Sequence, residues 1–219
     1  MFTKAAYRLF RKDAGGSADE QQVTEGPNGQ YASDWSRDGR FLIYQELTPD
    51  TQRGSVGSAA RAGKQGRGNA KPSPYLRTKF NEMNARFSPE PSPRWVAYQS
   101  DEPGRLEIYT QGFPEPRGKF QISTGGGQYP EWGAGGRELF YVAPDANLMA
   151  VDLTLTTDGM RPSAPRALFT LPIIDNGWSP YDTMDGQRFL VRAMPQQASP
   201  PLTVIVNWPA LLKKGTTGP

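Results

Sequence analysis

The sequence predicts an all-β fold: a partial β-propeller of about four to five blades, each a four-stranded antiparallel sheet. The composition is the first observation behind this prediction. The 219 residues include 24 glycines and 21 prolines, which are poor helix formers and suit short strands joined by tight turns. The second observation is a repeated segment, found four times along the chain, whose spacing is typical of propeller blades.

The four repeats share one pattern. A short first strand ends in an aromatic residue in three of the repeats, a turn follows, and a basic residue opens a second, apolar strand. The first large apolar residues of the second strands are Phe41, Trp95, Leu139 and Phe189. They lie 54, 44 and 50 residues apart, and a propeller blade takes roughly 40–50 residues.

The repeats place the blades in chain order within a propeller region that covers residues 1–212. Each complete blade is expected to supply four strands, whereas the first contributes only the last two strands of a blade. A further apolar strand is expected at 202–208 in the last blade. The predicted units are a partial blade at 5–26, blades at 31–80, 83–124, 128–171 and 181–208, and a flexible tail at 213–219.

One segment does not fit the repeat. Residues 53–71 hold five basic residues and no acidic one, and they stand where an apolar third strand belongs. We therefore expect an irregular basic loop there, which is either a genuine flexible insertion or the product of a local frame disturbance. Nucleic acid is not expected as a partner, because the segment has no aromatic residue on which a base could stack.

The composition also excludes several kinds of chemistry. The chain has no histidine and no cysteine, which rules out Ser-His-Asp and Cys-His catalysis, disulfides and the usual zinc ligands. No catalytic, cofactor-binding or metal-ligating residue is predicted, and no cofactor is expected. No apolar run reaches 18 residues, so no membrane-spanning segment is expected either.

A binding surface is the remaining possibility, since propellers often bind ligands at the mouth of the central channel. Tyr31, Met83, Tyr129 and Tyr181 begin or precede the innermost strands and are the candidate residues for this surface. Tyr129, Tyr181 and Trp178 are expected to be exposed there. The alternative is that these side chains pack between blades.

The residues also carry a family resemblance. The runs at 84–89 (NARFSP) and 94–102 (RWVAYQSDE) resemble the TolB-like, WD-type propeller repeat. The stretches at 108–109, 121–127 and 201–208 resemble the C-terminal propeller of large bacterial serine/threonine protein kinases. None of the motifs of a kinase domain itself is present.

This resemblance implies a non-enzymatic module that binds a protein, a peptide or a small ligand on the extracytoplasmic side, for a larger parent such as a receptor kinase. Two alternatives remain open: the propeller of a prolyl-oligopeptidase-like hydrolase, and a stand-alone periplasmic scaffold like TolB. The sequence begins in the middle of a blade, so we also expect open blade edges that can self-associate.

Overall fold

The computed structural model describes residues 7–12, 14–16, 19–47, 55–61, 73–156, 159–172 and 178–193, with only the backbone given at 55–61 and 73. Every regular element in this part of the chain is a β-strand, and all strand pairs are antiparallel. The predicted all-β class is therefore confirmed.

The described residues form 17 strands. In chain order they are β1 (Phe10–Arg11), β2 (Gln21–Gln22), β3 (Gly29–Trp35), β4 (Phe41–Leu47), β5 (Ser55–Arg61), β6 (Ser73–Pro74), β7 (Glu82–Phe87), β8 (Trp95–Ser100), β9 (Glu107–Gly112), β10 (Phe120–Gln121), β11 (Gln128–Trp132), β12 (Glu138–Val142), β13 (Asn147–Thr156), β14 (Gly159–Pro162), β15 (Arg166–Thr170), β16 (Tyr181–Thr183) and β17 (Phe189–Val191).

Each sheet is built from strands that follow one another in the chain. An N-terminal pair, β1–β2, precedes the first sheet (β3–β6), the second sheet (β7–β10), the third sheet (β11–β15) and the fourth sheet (β16–β17). The first strands of successive sheets, β3, β7, β11 and β16, contact one another and are the inner strands. In the described residues no strand pairing joins the N-terminal pair to the fourth sheet, and the sheets form a partial propeller.

The third sheet has one strand more than the predicted four. Strand β13 is ten residues long, and its two halves pair with different strands. Asn147 to Ala150 pair with β15, whereas Leu153 to Thr156 pair with β14. The extra strand β14 therefore extends the outer part of this sheet and leaves its inner strand unchanged.

The hydrophobic core lies between consecutive sheets. Ile43 of the first sheet and Tyr75, which directly follows β6, pack with Val96 and Tyr98 of the second sheet in one buried cluster. A second cluster joins the second and third sheets, and a third cluster joins the third and fourth sheets. Face-to-face packing of successive sheets is the way in which a propeller buries its apolar side chains.

The expectation of an irregular loop throughout the basic segment 53–71 is wrong for residues 55–61. These residues form β5, which pairs with β4 on one side and with β6 on the other. Backbone N–H and C=O groups supply the ladder whatever the side chains are, so strand pairing does not require an apolar pattern. The rest of this segment, the expected strand at 202–208 and the tail at 213–219 lie outside the described residues.

A tight turn follows each inner strand. Gly39, Gly136 and Gly186 occupy the turns of the first, third and fourth sheets with φ of 69°, 65° and 73°, where a side chain would be strained. The second sheet lacks this glycine. The Ser88 hydroxyl accepts hydrogen bonds in this connection from the backbone N–H groups of residues 94 and 95 at 3.2 and 3.0 Å, as the Ser36 hydroxyl accepts one from the N–H of Phe41 at 2.9 Å in the first sheet.

Candidate functional site

Three of the inner strands carry a β-bulge at the same place. The pairing register shifts by one residue just before Asp34 in β3, Arg86 in β7 and Glu131 in β11. Asn84 (φ 52°) and Tyr129 (φ 56°) lie within two of these bulges in the left-handed region, which residues other than glycine adopt at a cost. Bulges re-aim the side chains that follow them and are common next to functional sites.

The residues after the bulges belong to one repeated position. Asp34, Arg86, Glu131 and Asp182 are each the next-to-last residue of the inner strand in four consecutive sheets. We call these four residues the charged ring. Each inner strand thus brings one charged side chain to the same level of the molecule.

Arg86 joins three sheets through its guanidinium. Its Nε lies 2.9 Å from Oε2 of Glu131 in the third sheet, and its Nη1 donates a hydrogen bond to the carbonyl of Ser33 in the first sheet. The side chains of Arg86 and Glu131 are 24% and 22% exposed. A charge-assisted bond with this little solvent contact is stronger than a surface ion pair.

Asp34 is held by backbone groups. It accepts hydrogen bonds from the N–H of Phe87 in the neighbouring inner strand at 2.8 Å and from the N–H of Trp35 at 2.7 Å. The indole Nε1 of Trp132 donates to the carbonyl of Arg86 at 3.1 Å. The first three inner strands are therefore fixed relative to one another at the level of the charged ring.

Burial sets the electrostatics of the ring. It raises the pKa of Asp34 even though the N–H of Phe87 and the charge of Arg86 act to lower it. Burial also raises the pKa of Glu131, against the lowering effect of Arg86. For Arg86 itself burial acts to lower the pKa, but Glu131 and Asp34 outweigh it and raise the pKa. Arg86 therefore remains cationic throughout the physiological pH range.

A cavity of about 450 Å³ opens at the charged ring. Three carboxylates and three aromatic side chains line it, and the exposed portions of the wall include Trp35 (49% exposed) and Met184 (78% exposed). A volume of this size is within the range of small-molecule sites. The lining residues are Asp34, Trp35, Arg37, Phe87, Ser88, Pro89, Glu131, Trp132, Asp182, Thr183 and Met184.

The candidates that the sequence suggested lie elsewhere. Tyr129 and Tyr181 are buried, at 7% and 5% exposure, so the expectation that they are exposed is wrong. They help to fill the core between the third and fourth sheets, where the Tyr181 hydroxyl donates to the carbonyl of Tyr129 at 2.8 Å. Burial raises the pKa of Tyr181 well above its usual value.

The other candidates differ in exposure. Tyr31 and Met83 are half-buried, and the ring of Tyr31 lies 5.5 Å from that of Tyr7. Trp178 is exposed, as expected. None of Tyr31, Met83, Tyr129 and Tyr181 lines the cavity, and a binding role for Tyr31 and Met83 stays a prediction.

A sequence signal for the charged ring was present. In the first and third repeats the aromatic residue that ends the first strand directly follows an acidic residue, in Asp34-Trp35 and Glu131-Trp132. The second repeat has Arg86 at the same place. Comparison of this single position across the repeats would have identified the ring.

Two other kinds of feature are absent from the described ranges. These ranges contain no group of three or more acidic side chains arranged to hold a metal ion. In the same ranges there is also no helix with the length and apolar character needed to cross a lipid bilayer.

The sheet order and the cores between sheets define the fold as a β-propeller. The chain matches no protein-family model, and no curated protein sequence matches it significantly. A putative TolB from Agrobacterium tumefaciens is similar in structure, with a TM-score of 0.50 and 17% identity over 71% of this chain and 54% of that one. A putative 6-phosphogluconolactonase from Bacteroides uniformis has a TM-score of 0.50 and 12% identity over 86% of this chain and 66% of that one.

At these identities the likeness shows the fold alone, which is that of a β-propeller. The chain spans between about half and two thirds of the length of these two structures. The described sheets therefore correspond to part of such a propeller.

Proposed function

We propose that this chain is a non-enzymatic binding module whose ligand occupies the cavity at the charged ring. One observation carries the proposal: three of the four inner strands each bring a carboxylate to one cavity, and the remaining one, β7, holds Glu131 through Arg86. Bulges just before Asp34, Arg86 and Glu131 support it, because such bulges stabilise a particular side-chain direction at the expense of regular pairing. Convergent polar groups in a partly apolar cavity are typical of ligand sites.

The chemistry of the cavity does not favour the activity named for one structural neighbour. The name 6-phosphogluconolactonase implies a substrate that carries a phosphate. In this chain such an anion would meet the carboxylates of Asp34, Glu131 and Asp182, and like charges at close range repel. The absence of histidine also removes the commonest general base.

For the parent protein we propose a larger bacterial protein, such as a receptor serine/threonine kinase, in which the propeller senses a ligand outside the membrane. This part rests on the resemblance of the repeats. The alternatives are a prolyl-oligopeptidase-like hydrolase and a stand-alone periplasmic scaffold. The coding sequence on both sides of the chain distinguishes these three parents. A receptor kinase predicts a kinase domain and a membrane helix upstream, a prolyl-oligopeptidase-like protein predicts a hydrolase domain, and a periplasmic scaffold predicts a signal peptide.

The binding role is tested by a fragment screen. A library of neutral, anionic and cationic fragments is screened by saturation-transfer NMR against the wild type and against Trp35→Ala. Trp35 is half exposed, so its removal changes the cavity wall without opening a buried core. We expect fragments that compete with one another and lose their signal in the variant. A screen in which every hit binds both proteins equally would refute the cavity as the binding site.

A further inference from the structure

We propose that the cavity at the charged ring takes an ammonium or guanidinium group carried on an aliphatic chain. This inference rests on the proposed function and adds to it the chemical class of the ligand. It follows from the charges that line the cavity, from its apolar wall and from the pairing of Arg86 with Glu131.

The carboxylates outnumber the cations at the cavity. Asp34, Glu131 and Asp182 line it, and Arg37 is the one basic side chain among the lining residues. Glu131 is paired with Arg86. Asp34 and Asp182 form no salt bridge within the described ranges, and the charges of Arg86 and Arg37 act on Asp34 without contacting it as an ion pair. Two carboxylates are thus left to interact with a ligand, and each can accept more hydrogen bonds than the backbone supplies.

Asp34 and Asp182 can each accept further hydrogen bonds from a ligand. Asp182 is exposed and, among the described residues, accepts one bond, from the N–H of Thr183 at 2.8 Å. Asp34 accepts one backbone N–H on each of its oxygens, whereas a carboxylate oxygen has about two acceptor sites. An ammonium or guanidinium group brings several donors and a full positive charge, and it matches this arrangement.

The wall of the cavity suits the remainder of such a ligand. Trp35 presents about half of its surface, and Met184 is almost entirely exposed. Phe87 and Trp132 are buried and line the same cavity. An aliphatic chain is stabilised by contact with these apolar groups, and an organic cation is attracted to the face of an exposed indole. A metal ion gains nothing from such a wall.

The same chemistry is available from two sources. One is a free amine or guanidine, and the other is a lysine or arginine side chain of a peptide. Agmatine, which carries both cationic groups on a four-carbon chain, represents the first source. Blocked arginine and lysine, N-acetylated and with a methylamide at the carboxyl end, represent the second source. Pentanol is the neutral control of similar length.

The test is a titration of these compounds into the whole chain, followed by NMR. We expect at least one of the cationic probes to bind at least tenfold more tightly than pentanol, because hydrogen bonds to charged groups are worth about a factor of ten or more each. Asp182→Asn and Asp34→Asn should each weaken binding of that probe by about three- to tenfold. Asp152→Asn is the matched control, because Asp152 is exposed on β13 and does not line the cavity, and it should leave binding unchanged.

The outcomes distinguish a free cation from a peptide side chain, and they distinguish failure of the cationic ligand from failure of the binding function. Preference for agmatine supports a free cation, and preference for the blocked residues supports a peptide. Any of three results would overturn the inference: equal binding of pentanol and the cations, no detectable binding of any cationic probe, or equal losses of binding in the Asp152 and Asp182 variants. If the screen finds fragments that depend on Trp35 but are all neutral or anionic, the binding function stands and the cationic ligand is wrong. If nothing depends on Trp35, the binding function also fails.

Discussion

The ion pair between Arg86 and Glu131 gives the sharpest test of how the charged ring is held. Arg86→Met removes the cation and leaves the Glu131 carboxylate without a partner at a site that is about one quarter exposed. Loss of one partner costs about 3–5 kcal/mol in a fully buried pair and about 0.2–1 kcal/mol at the surface. We therefore expect a loss of about 2 kcal/mol in the free energy of unfolding, or about 4–8 °C in Tm for a chain of this size.

A double-mutant cycle separates the charge from the packing. Arg86→Met combined with Glu131→Gln removes both charges, so the double variant should lie within about 1 kcal/mol of the wild type. Urea unfolding at pH 7 measures all four proteins. The reasoning would be refuted if the loss in the free energy of unfolding of the double variant equalled the sum of the losses of the two single variants, because the cost would then arise from lost packing.

Unfolding measured at lower pH tests the direction in which the stability difference between Arg86→Met and the wild type changes with pH. Burial raises the pKa of Glu131 in the folded state, and loss of Arg86 should raise it further. The penalty of the unpaired carboxylate is then fully present above that raised pKa and disappears as the pH falls below it. The difference between Arg86→Met and the wild type should therefore narrow near pH 4, and a difference independent of pH would contradict this account.

Three further predictions concern the rest of the fold. Phe140→Ala removes a fully buried ring and should cost about 3–5 kcal/mol in urea unfolding, whereas Phe10→Ala at an exposed position should stay within about 0.5 kcal/mol. Burial raises the pKa of Glu82, and one oxygen of this carboxyl has no hydrogen-bond partner among the described residues. Glu82→Gln should therefore raise Tm at pH 7 but not at pH 4, where the carboxyl of the wild type takes up its proton. A Cβ at Gly126 would lie 2.6 Å from a proline Cγ at a φ of 98°, so Gly126→Ala should lower Tm by several degrees, and an unchanged Tm would show that this turn can relax.

The second strands of the repeats could be predicted from the sequence because burial leaves a direct signal there. Phe41, Trp95 and Leu139 each open an apolar run, and each of these runs is a strand. Strand β5 gave no such signal, because its sequence consists mainly of small and polar residues. Its place in the sheet follows from backbone pairing with β4, which does not depend on the type of side chain.

The site was harder to predict because the bulges break the alternation on which strand arguments depend. In a regular strand Tyr129 and Glu131 would share a face. The bulge between them lets Tyr129 pack in the core against the fourth sheet while Glu131 bonds to Arg86 of the second sheet. The left-handed residue of this bulge is Tyr129 and not a glycine, so the residue types of the strand do not indicate the change of direction.

The repeated position of the charged ring also bears on how such a molecule can diversify. Each ring residue belongs to a different strand, and each strand is fixed by hydrogen bonds within its own sheet. A single codon change at Asp182, which accepts its hydrogen bond from Thr183 of the same strand, therefore alters one side of the cavity and leaves the other sides in place. Proteins with the same scaffold could thus acquire different ligands by separate substitutions, one blade at a time, without a new fold.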